Sequence, residues 1–162
     1  MIDYYRKVCS HEFSHQREYG GSTWTSNGGG YTMKDFANKN PSEDVLKFLE
    51  TRPVSVEFDI GDKKYYISHA FKLPNQAPLD EDEEMTDSDT FRHIWNRREP
   101  YFHEQSPDVA ICGHNSQYGL RYWKADPKFG DKQAICIDTS RDSVLTGIHL
   151  PTLTIYQQEY ID

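Results

Sequence analysis

Two histidines stand out among the residues that could do chemistry. His69 closes the run Tyr65-Tyr66-Ile67-Ser68-His69-Ala70, and His114 closes Ala110-Ile111-Cys112-Gly113-His114. Each ends a short apolar run of the kind that forms a buried strand. A side chain just past a strand's carboxyl end stands at the rim of a sheet, where open α/β sheets bind ligands. Neutral imidazole suits Zn, Mn or Fe, so two such rings could converge on one metal ion. Either histidine alone reads more readily as a satisfied structural residue. Gly113 favours the functional reading of His114, because backbone can approach closely where there is no side chain.

Three other patterns compete for attention. His11-Glu12-Phe13-Ser14-His15 is a formal H-E-x-x-H, which on a helix puts two imidazoles on one face with a glutamate as general base of a zinc peptidase. Its histidines point opposite the apolar stripe of that segment, no H-x-x-G-x-x-H extension follows, and exposed helix polarity is the stronger reading. The loop from Ser22 to Tyr31 holds Asn27 and three glycines but lacks the Lys-Ser/Thr of a P-loop. Trp24 within it reads as a core anchor. Arg97-Arg98 ends a helix-like segment, a favourable place for cations, and the planar guanidinium also suits phosphate.

These residues sit in a chain of 162 residues, enough for one domain with a real core. Net charge is −8, which argues against a binder of nucleic-acid backbone. Mean hydropathy is low at −0.85, yet aromatics reach 14%, so burial can lean on Tyr, Phe and Trp. No apolar run approaches a membrane span and no signal peptide is visible, so a cytoplasmic protein is expected. Cys9, Cys112 and Cys136 are odd in number and two lie in strand-like runs. They read as small core residues in a reduced compartment rather than a disulfide framework.

The elements that would carry the site follow in order. An apolar stripe of Ile2, Tyr5, Cys9 and Phe13 predicts a helix from Met1 to about Tyr19, stopped by Gly20-Gly21. Ser42 is an N-cap for a helix bearing Val45, Leu46, Phe48 and Leu49, with acids in its first turn and Pro53 at its end. Val54 to Ile60 alternates with period two, and Gly61-Asp62-Lys63 turns it into Lys64 to Ser68 as a hairpin. Residues 73–89 read as an acidic flap or linker. Asp87 or Ser88 caps a helix carrying Phe91, Ile94 and Trp95. Val109 to Cys112 is a strand, Tyr118 to Trp123 an edge strand or turn, and Gln133 to Ile137 a strand ending in Asp138-Thr139. Val144 to Leu150 and Thr152 to Tyr156 are expected to close the sheet. The class is α/β or α+β, in a single domain over residues 1–162, with a mixed or antiparallel central sheet.

The motifs line up in one order: Trp24 to Gly29, Tyr66 to Ala70, Ile94-Trp95-Asn96-Arg97, Gly113-His114, Ile137-Asp138-Thr139 and Leu145-Thr146. In that order the chain resembles the calcineurin-like metallophosphoesterases, most of all the bacterial and phage serine/threonine phosphatases of the phage lambda type. The match covers the family's carboxyl-terminal part. The family's D-x-H, G-D-x-x-D-R-G and G-N-H-E motifs do not occur, and Met1-Ile2-Asp3 looks like the segment just after G-N-H-E. The resemblance implies a metallophosphoesterase β-sandwich flanked by helices. It implies that His69 and His114 are ligands of one metal and that Arg97 grips the substrate phosphate. Asn115 stands where the family usually has Thr, and Ser140 where Gly is usual.

The implied chemistry is phosphomonoester hydrolysis at a divalent-metal centre, dinuclear in the complete family site, with Mn²⁺ the first choice of metal. The metals would acidify a bridging water and neutralise charge during in-line attack, while arginine stabilises the transferring phosphoryl. Hydrolytic metal sites usually use three protein ligands, so two histidines alone predict weak metal binding and poor hydrolysis. The expected partners are a phosphorylated protein or small phosphoester, and an amino-terminal phosphatase half or a second copy. A non-catalytic binding or regulatory module on the same scaffold is the alternative, and a zinc peptidase through His11, Glu12 and His15 is less favoured.

Overall fold

Four consecutive apolar residues, Val109–Cys112, form a strand that is buried on both faces, as an uninterrupted apolar run requires. In the computed structural model this strand is the middle of a mixed five-stranded sheet. The structure describes residues 42–71 and 93–160. Strands β1 (Ser55–Ile60), β2 (Lys63–Ser68), β3 (Val109–Cys112), β4 (Arg121–Lys124) and β5 (Gln133–Cys136) line up in the order β1-β2-β3-β5-β4. β2, β3 and β5 run parallel to one another, and the flanking β1 and β4 are antiparallel to their neighbours.

The chain falls into two compact units, Met1–Arg52 and Pro53–Asp162. In the first, helix α1 (Glu43–Glu50) begins where Ser42 Oγ accepts a hydrogen bond from Val45 N at 3.4 Å. Glu43 and Asp44 in the first turn complement the positive end of the helix dipole.

In the second unit the period of two along each strand sorts the core into two faces. Tyr65, Val109 and Ile111 point one way, with Phe58, Ile60 and Ile137 around them. Tyr66, Ala110, Cys112, Ala134 and Cys136 point the other way, covered by Phe71, Phe102 and Trp123. Phe58 stacks on its register partner Tyr65 with ring centroids 5.6 Å apart. The last two strands differ from the sequence expectation. β6 (Val144–His149) and β7 (Thr154–Glu159) pair only with each other and form a second, two-stranded sheet. Ile148, Leu150 and Leu153 from this hairpin cover the Tyr65 face. The alternation that predicts a strand says which residues face inward; it does not say which sheet they join.

A buried hydroxyl chain ties the hairpin to the end of β5. Thr139 Oγ1 donates to the Val144 carbonyl at 2.8 Å, so Thr146 Oγ1, at 2.6 Å, must donate to Thr139. Gln157 Nε2 donates to Thr146 Oγ1 at 3.1 Å. Edge strand β4 covers Arg121–Lys124, a shorter and later segment than Tyr118 to Trp123. Residues 93–95 are helical and the chain leaves helical geometry at Asn96, ahead of Arg97-Arg98.

Candidate functional site

Three adjacent parallel strands deliver three polar side chains to one edge of the sheet. β2 is followed by His69, β3 by Gly113-His114, and β5 by Ile137-Asp138. This is the carboxyl edge, where backbone leaves the ladder and ligands can be met. Backbone hydrogen bonds lock the three exits together. Gly113 N donates to the His69 carbonyl at 2.9 Å, Ile137 N to the Cys112 carbonyl at 2.9 Å, and Gln117 N to the Asp138 carbonyl at 3.0 Å.

The two histidines meet. His69 Nε2 lies 3.1 Å from His114 Nδ1, with ring centroids 4.9 Å apart and planes tilted by 57°. Two lone pairs would repel at this distance, so one nitrogen carries a proton and donates to the other. Trp95 stands edge-on to the His114 ring at 5.5 Å between centroids. His114 Nε2 is buried without a hydrogen bond of ordinary geometry. Burial foremost, then the neighbouring His69 and Arg97, hold His114 below the usual imidazole range. Asp138 and the Trp95 backbone pull the other way. The ring is therefore neutral at physiological pH, the form that offers a lone pair to a cation.

His114 is also held in the left-handed region, at φ 63°. Histidine enters this region seldom, and the observed outlier is the kind of strain that collects at functional sites. Sequence reasoning draws attention to Gly113, as a point of close backbone approach, and not to the backbone of His114. A Cβ built on Gly113 would meet the His69 carbonyl oxygen at 3.6 Å and Asp138 Cβ at 3.9 Å, ordinary contact distances. The close approach at Gly113 is made by its N–H, which alanine would keep.

Arg97 is exposed, and its carbonyl accepts from Asn115 Nδ2 at 3.1 Å. Its guanidinium charge acts on the His114 ring. Asn96 Nδ2 donates to the Phe71 carbonyl, and Ala70 N donates to the His93 carbonyl at 2.8 Å. These contacts pin residues 93–97 against the segment that carries His69. Asn115 is thus the residue that ties the His114 loop to Arg97.

Asp138, which the sequence reading left without a role, anchors a short hydroxyl relay. Ser140 Oγ donates to Asp138 Oδ1 at 2.7 Å, so at 2.6 Å Ser116 Oγ must donate to Ser140. The signal that could have found it was positional: Asp138 follows β5 as His69 follows β2. Just inside the rim, the free thiols of Cys112 and Cys136 are register partners. Burial pushes the Cys112 thiol up, while a hydrogen bond from Cys112 draws Cys136 down to about 7.

Among the described residues, no three His, Cys, Asp or Glu side chains stand close enough to enclose a metal ion. The pair His69 and His114 would supply two imidazole ligands once the proton they share had left. Among the described residues no helix is long and apolar enough to cross a membrane. His11, Glu12 and His15, the acidic flap at 73–89 and the predicted amino-terminal helix lie outside the described residues. No family model matches the sequence, and no curated protein does.

Proposed function

We propose that this chain contributes the His69–His114 half-site of a metal-dependent phosphomonoester hydrolase, of the serine/threonine phosphatase kind. The observation that carries the reading is the 3.1 Å meeting of His69 Nε2 and His114 Nδ1 at the carboxyl ends of neighbouring parallel strands. The resemblance read from the motifs supports it, as does the left-handed backbone of His114.

In this reading His69 and His114 hold one divalent cation, Mn²⁺ being the first choice. When bound, that cation would supply Lewis acidity toward a phosphate oxygen. The chain's own residues do the rest. The depressed basicity of His114 keeps its ring uncharged at neutral pH, so a cation meets no imidazolium there. Trp95 packs edge-on to the His114 ring. Arg97, exposed and tied to Asn115, presents a guanidinium for a phosphoryl oxygen. Asp138 adds negative charge beside the histidines, which favours a cation there.

Two imidazoles are fewer than the three protein ligands a hydrolytic metal usually has. Full activity in this reading needs further ligands, from an amino-terminal phosphatase segment bearing G-D-x-x-D-R-G-type motifs or from a second copy. Val56 and Ile67, register partners on one face of β1 and β2, remain 45% and 37% exposed and offer apolar surface to such a partner. The test is titration with Mn²⁺ by calorimetry, followed by hydrolysis of an aryl phosphate with and without a segment carrying those motifs. Metal binding that His69→Ala and His114→Ala each abolish supports the proposal. Binding that survives both removes it. Metal binding with no gain in hydrolysis when both segments are folded favours the non-catalytic module.

A further inference from the structure

Cys112 and Cys136 have no part in the proposed hydrolysis, yet they are the most suggestively placed nucleophiles in the described chain. They are direct register partners on the adjacent parallel strands β3 and β5. Both side chains point into the same core face, and only 2% and 1% of their surfaces are exposed. Neither is in a disulfide. Their sulfurs share an acceptor: Cys112 Sγ donates to the Gly113 carbonyl at 3.5 Å, and Cys136 Sγ reaches the same oxygen at 3.6 Å. Cys136 Sγ also reaches the Asn115 carbonyl at 3.7 Å. The shared acceptor places the two thiols side by side on this face.

We propose that Cys112 and Cys136 form a two-electron oxidation site, converted from dithiol to disulfide by a hydroperoxide-class oxidant. Neighbouring strands lie about 4.8 Å apart, inside the Cα separation of about 4.4–6.8 Å that a disulfide spans. The next register pair, Ile111 with Ile135, points to the opposite face, and the next pair on the cysteines' own face is Ala110 with Ala134, so little side-chain bulk on that face resists a small adjustment. Hydrogen peroxide is nearly as small as water, which suits a buried pair one residue inside an open rim.

The step balances without any further reactant. One thiol, as thiolate, attacks a peroxide oxygen; the O–O bond breaks, hydroxide leaves, and a sulfenic acid forms. The second sulfur displaces the sulfenic oxygen as water and the S–S bond closes. Overall two thiols and one hydrogen peroxide give one disulfide and two waters.

The consequence reaches the histidine rim. The carbonyls of Gly113 and Asn115 flank His114, and the two thiols donate to them. A disulfide carries no hydrogen, so oxidation strips both carbonyls of those donors at once. The state of the thiols is thereby transmitted to the loop that holds His114 in its left-handed conformation.

The experiment uses the full chain with Cys9→Ser, treated with hydrogen peroxide, quenched, alkylated under denaturing conditions and weighed. The expected result is a loss of about 2 mass units, no alkylation, and a single tryptic link joining the peptides of Cys112 and Cys136. In ¹H–¹⁵N spectra the amides of residues 113–115 shift, those of β1 do not, and a thiol reductant restores both. Cys112→Ser and Cys136→Ser separately abolish the mass loss. If Cys9→Ser fails to fold, the unmutated chain with the same peptide map serves. Oxygen added to either sulfur without a link, two thiols that stay alkylatable, or a link through Cys9 in the unmutated chain overturns the proposal. So does a link with unshifted amides at 113–115, for the coupling to the rim.

Discussion

Replacing His114 by glycine and by alanine separates the strain at this position from its chemistry. An L-residue in left-handed geometry costs roughly 1–2 kcal/mol, and His114 is there at φ 63°. Its buried Nε2 lacks an ordinary hydrogen bond, a penalty of about 1–3 kcal/mol. Opposing these, the ring contributes an edge-on contact to Trp95, about 0.5–1.5 kcal/mol. It also shares a hydrogen bond with His69, another 0.5–1.5 kcal/mol or so. Glycine adds an unfolded-state entropy cost of about 0.5–1 kcal/mol. The sums nearly cancel, so His114→Gly is expected within about 1 kcal/mol of the parent. Losing an aromatic ring from a relaxed, well-packed position would cost about 3–5 kcal/mol.

The comparison with His114→Ala is sharper, because ring loss is common to both variants. At an ordinary position alanine is the more stable of the two by about 0.5–1 kcal/mol. At a left-handed one the order reverses, glycine gaining about 1 kcal/mol or slightly less. Urea unfolding monitored by circular dichroism reads this difference, which corresponds to roughly 2–4 °C in Tm for each kcal/mol in a chain of 162 residues. Both variants should lose Mn²⁺ binding by calorimetry. An alanine variant more stable than the glycine variant refutes the strain argument, and with it the inference that His114 is held at a cost for a purpose.

Other outcomes follow from the same contacts. Gly113→Ala should cost less than about 1 kcal/mol, since its Cβ meets only ordinary contacts; a larger loss of Tm contradicts the geometry. Thr139→Val leaves the Val144 carbonyl and Thr146 hydroxyl short of a partner. It should cost about 1–3 kcal/mol in urea unfolding, while Thr139→Ser recovers most of it. Because His114 is held below the ordinary imidazole value of 6.5, the unfolded chain binds more protons than the native one just below that pH. Its share of stability is therefore complete above pH 6.5 and declines on acidification, by at most about 1.4 kcal/mol per pH unit. In His114→Gly this part of the slope should vanish from urea titrations run from pH 7.5 downward. Asn115→Ala frees the Arg97 carbonyl and should weaken phosphate protection of Arg97 from guanidinium-modifying reagents without moving Tm by more than a few degrees.

Much of this arrangement was legible in the sequence for local reasons. Ser42 caps α1 because its hydroxyl reaches Val45 N, a contact within one turn. Val109–Cys112 read as a central strand because nothing polar interrupts it, and both faces are in fact buried. The meeting of His69 and His114 was legible in kind, since parallel neighbours end on the same edge. That they are neighbours was not, because the pairing of β2 with β3 joins residues more than forty positions apart in the chain. The hairpin β6–β7 was misplaced for the same reason: alternation fixes a buried face, while the choice of sheet rests on a tertiary fit of Ile148, Leu150 and Leu153 over Tyr65 and Val109. Attention was displaced by one residue: Gly113 read as a point of close backbone approach and the left-handed geometry of His114 went unread, because a sequence advertises glycine as its permissive position and conceals a histidine in that region.

That displacement bears on how the site works. If Gly113 supplied the bend, His114 could relax into extended geometry and its ring could swing toward solvent. Instead Gly113 is fixed by its hydrogen bond to the His69 carbonyl, and the turn falls on His114 itself. His114 Nδ1 then meets His69 Nε2 at 3.1 Å while its ring packs edge-on to Trp95. Two contacts thereby hold the ring before any ligand arrives. A site preorganised in this way spends stability before any ligand binds and recovers it as affinity. The expected signature is a Mn²⁺ affinity that falls more for His114→Asn, which tolerates the left-handed backbone but offers no imidazole, than for a relaxing change at Gly113. Equal losses at the two positions would mean that loop shape, and not the histidine's own lone pair, governs what this rim can hold.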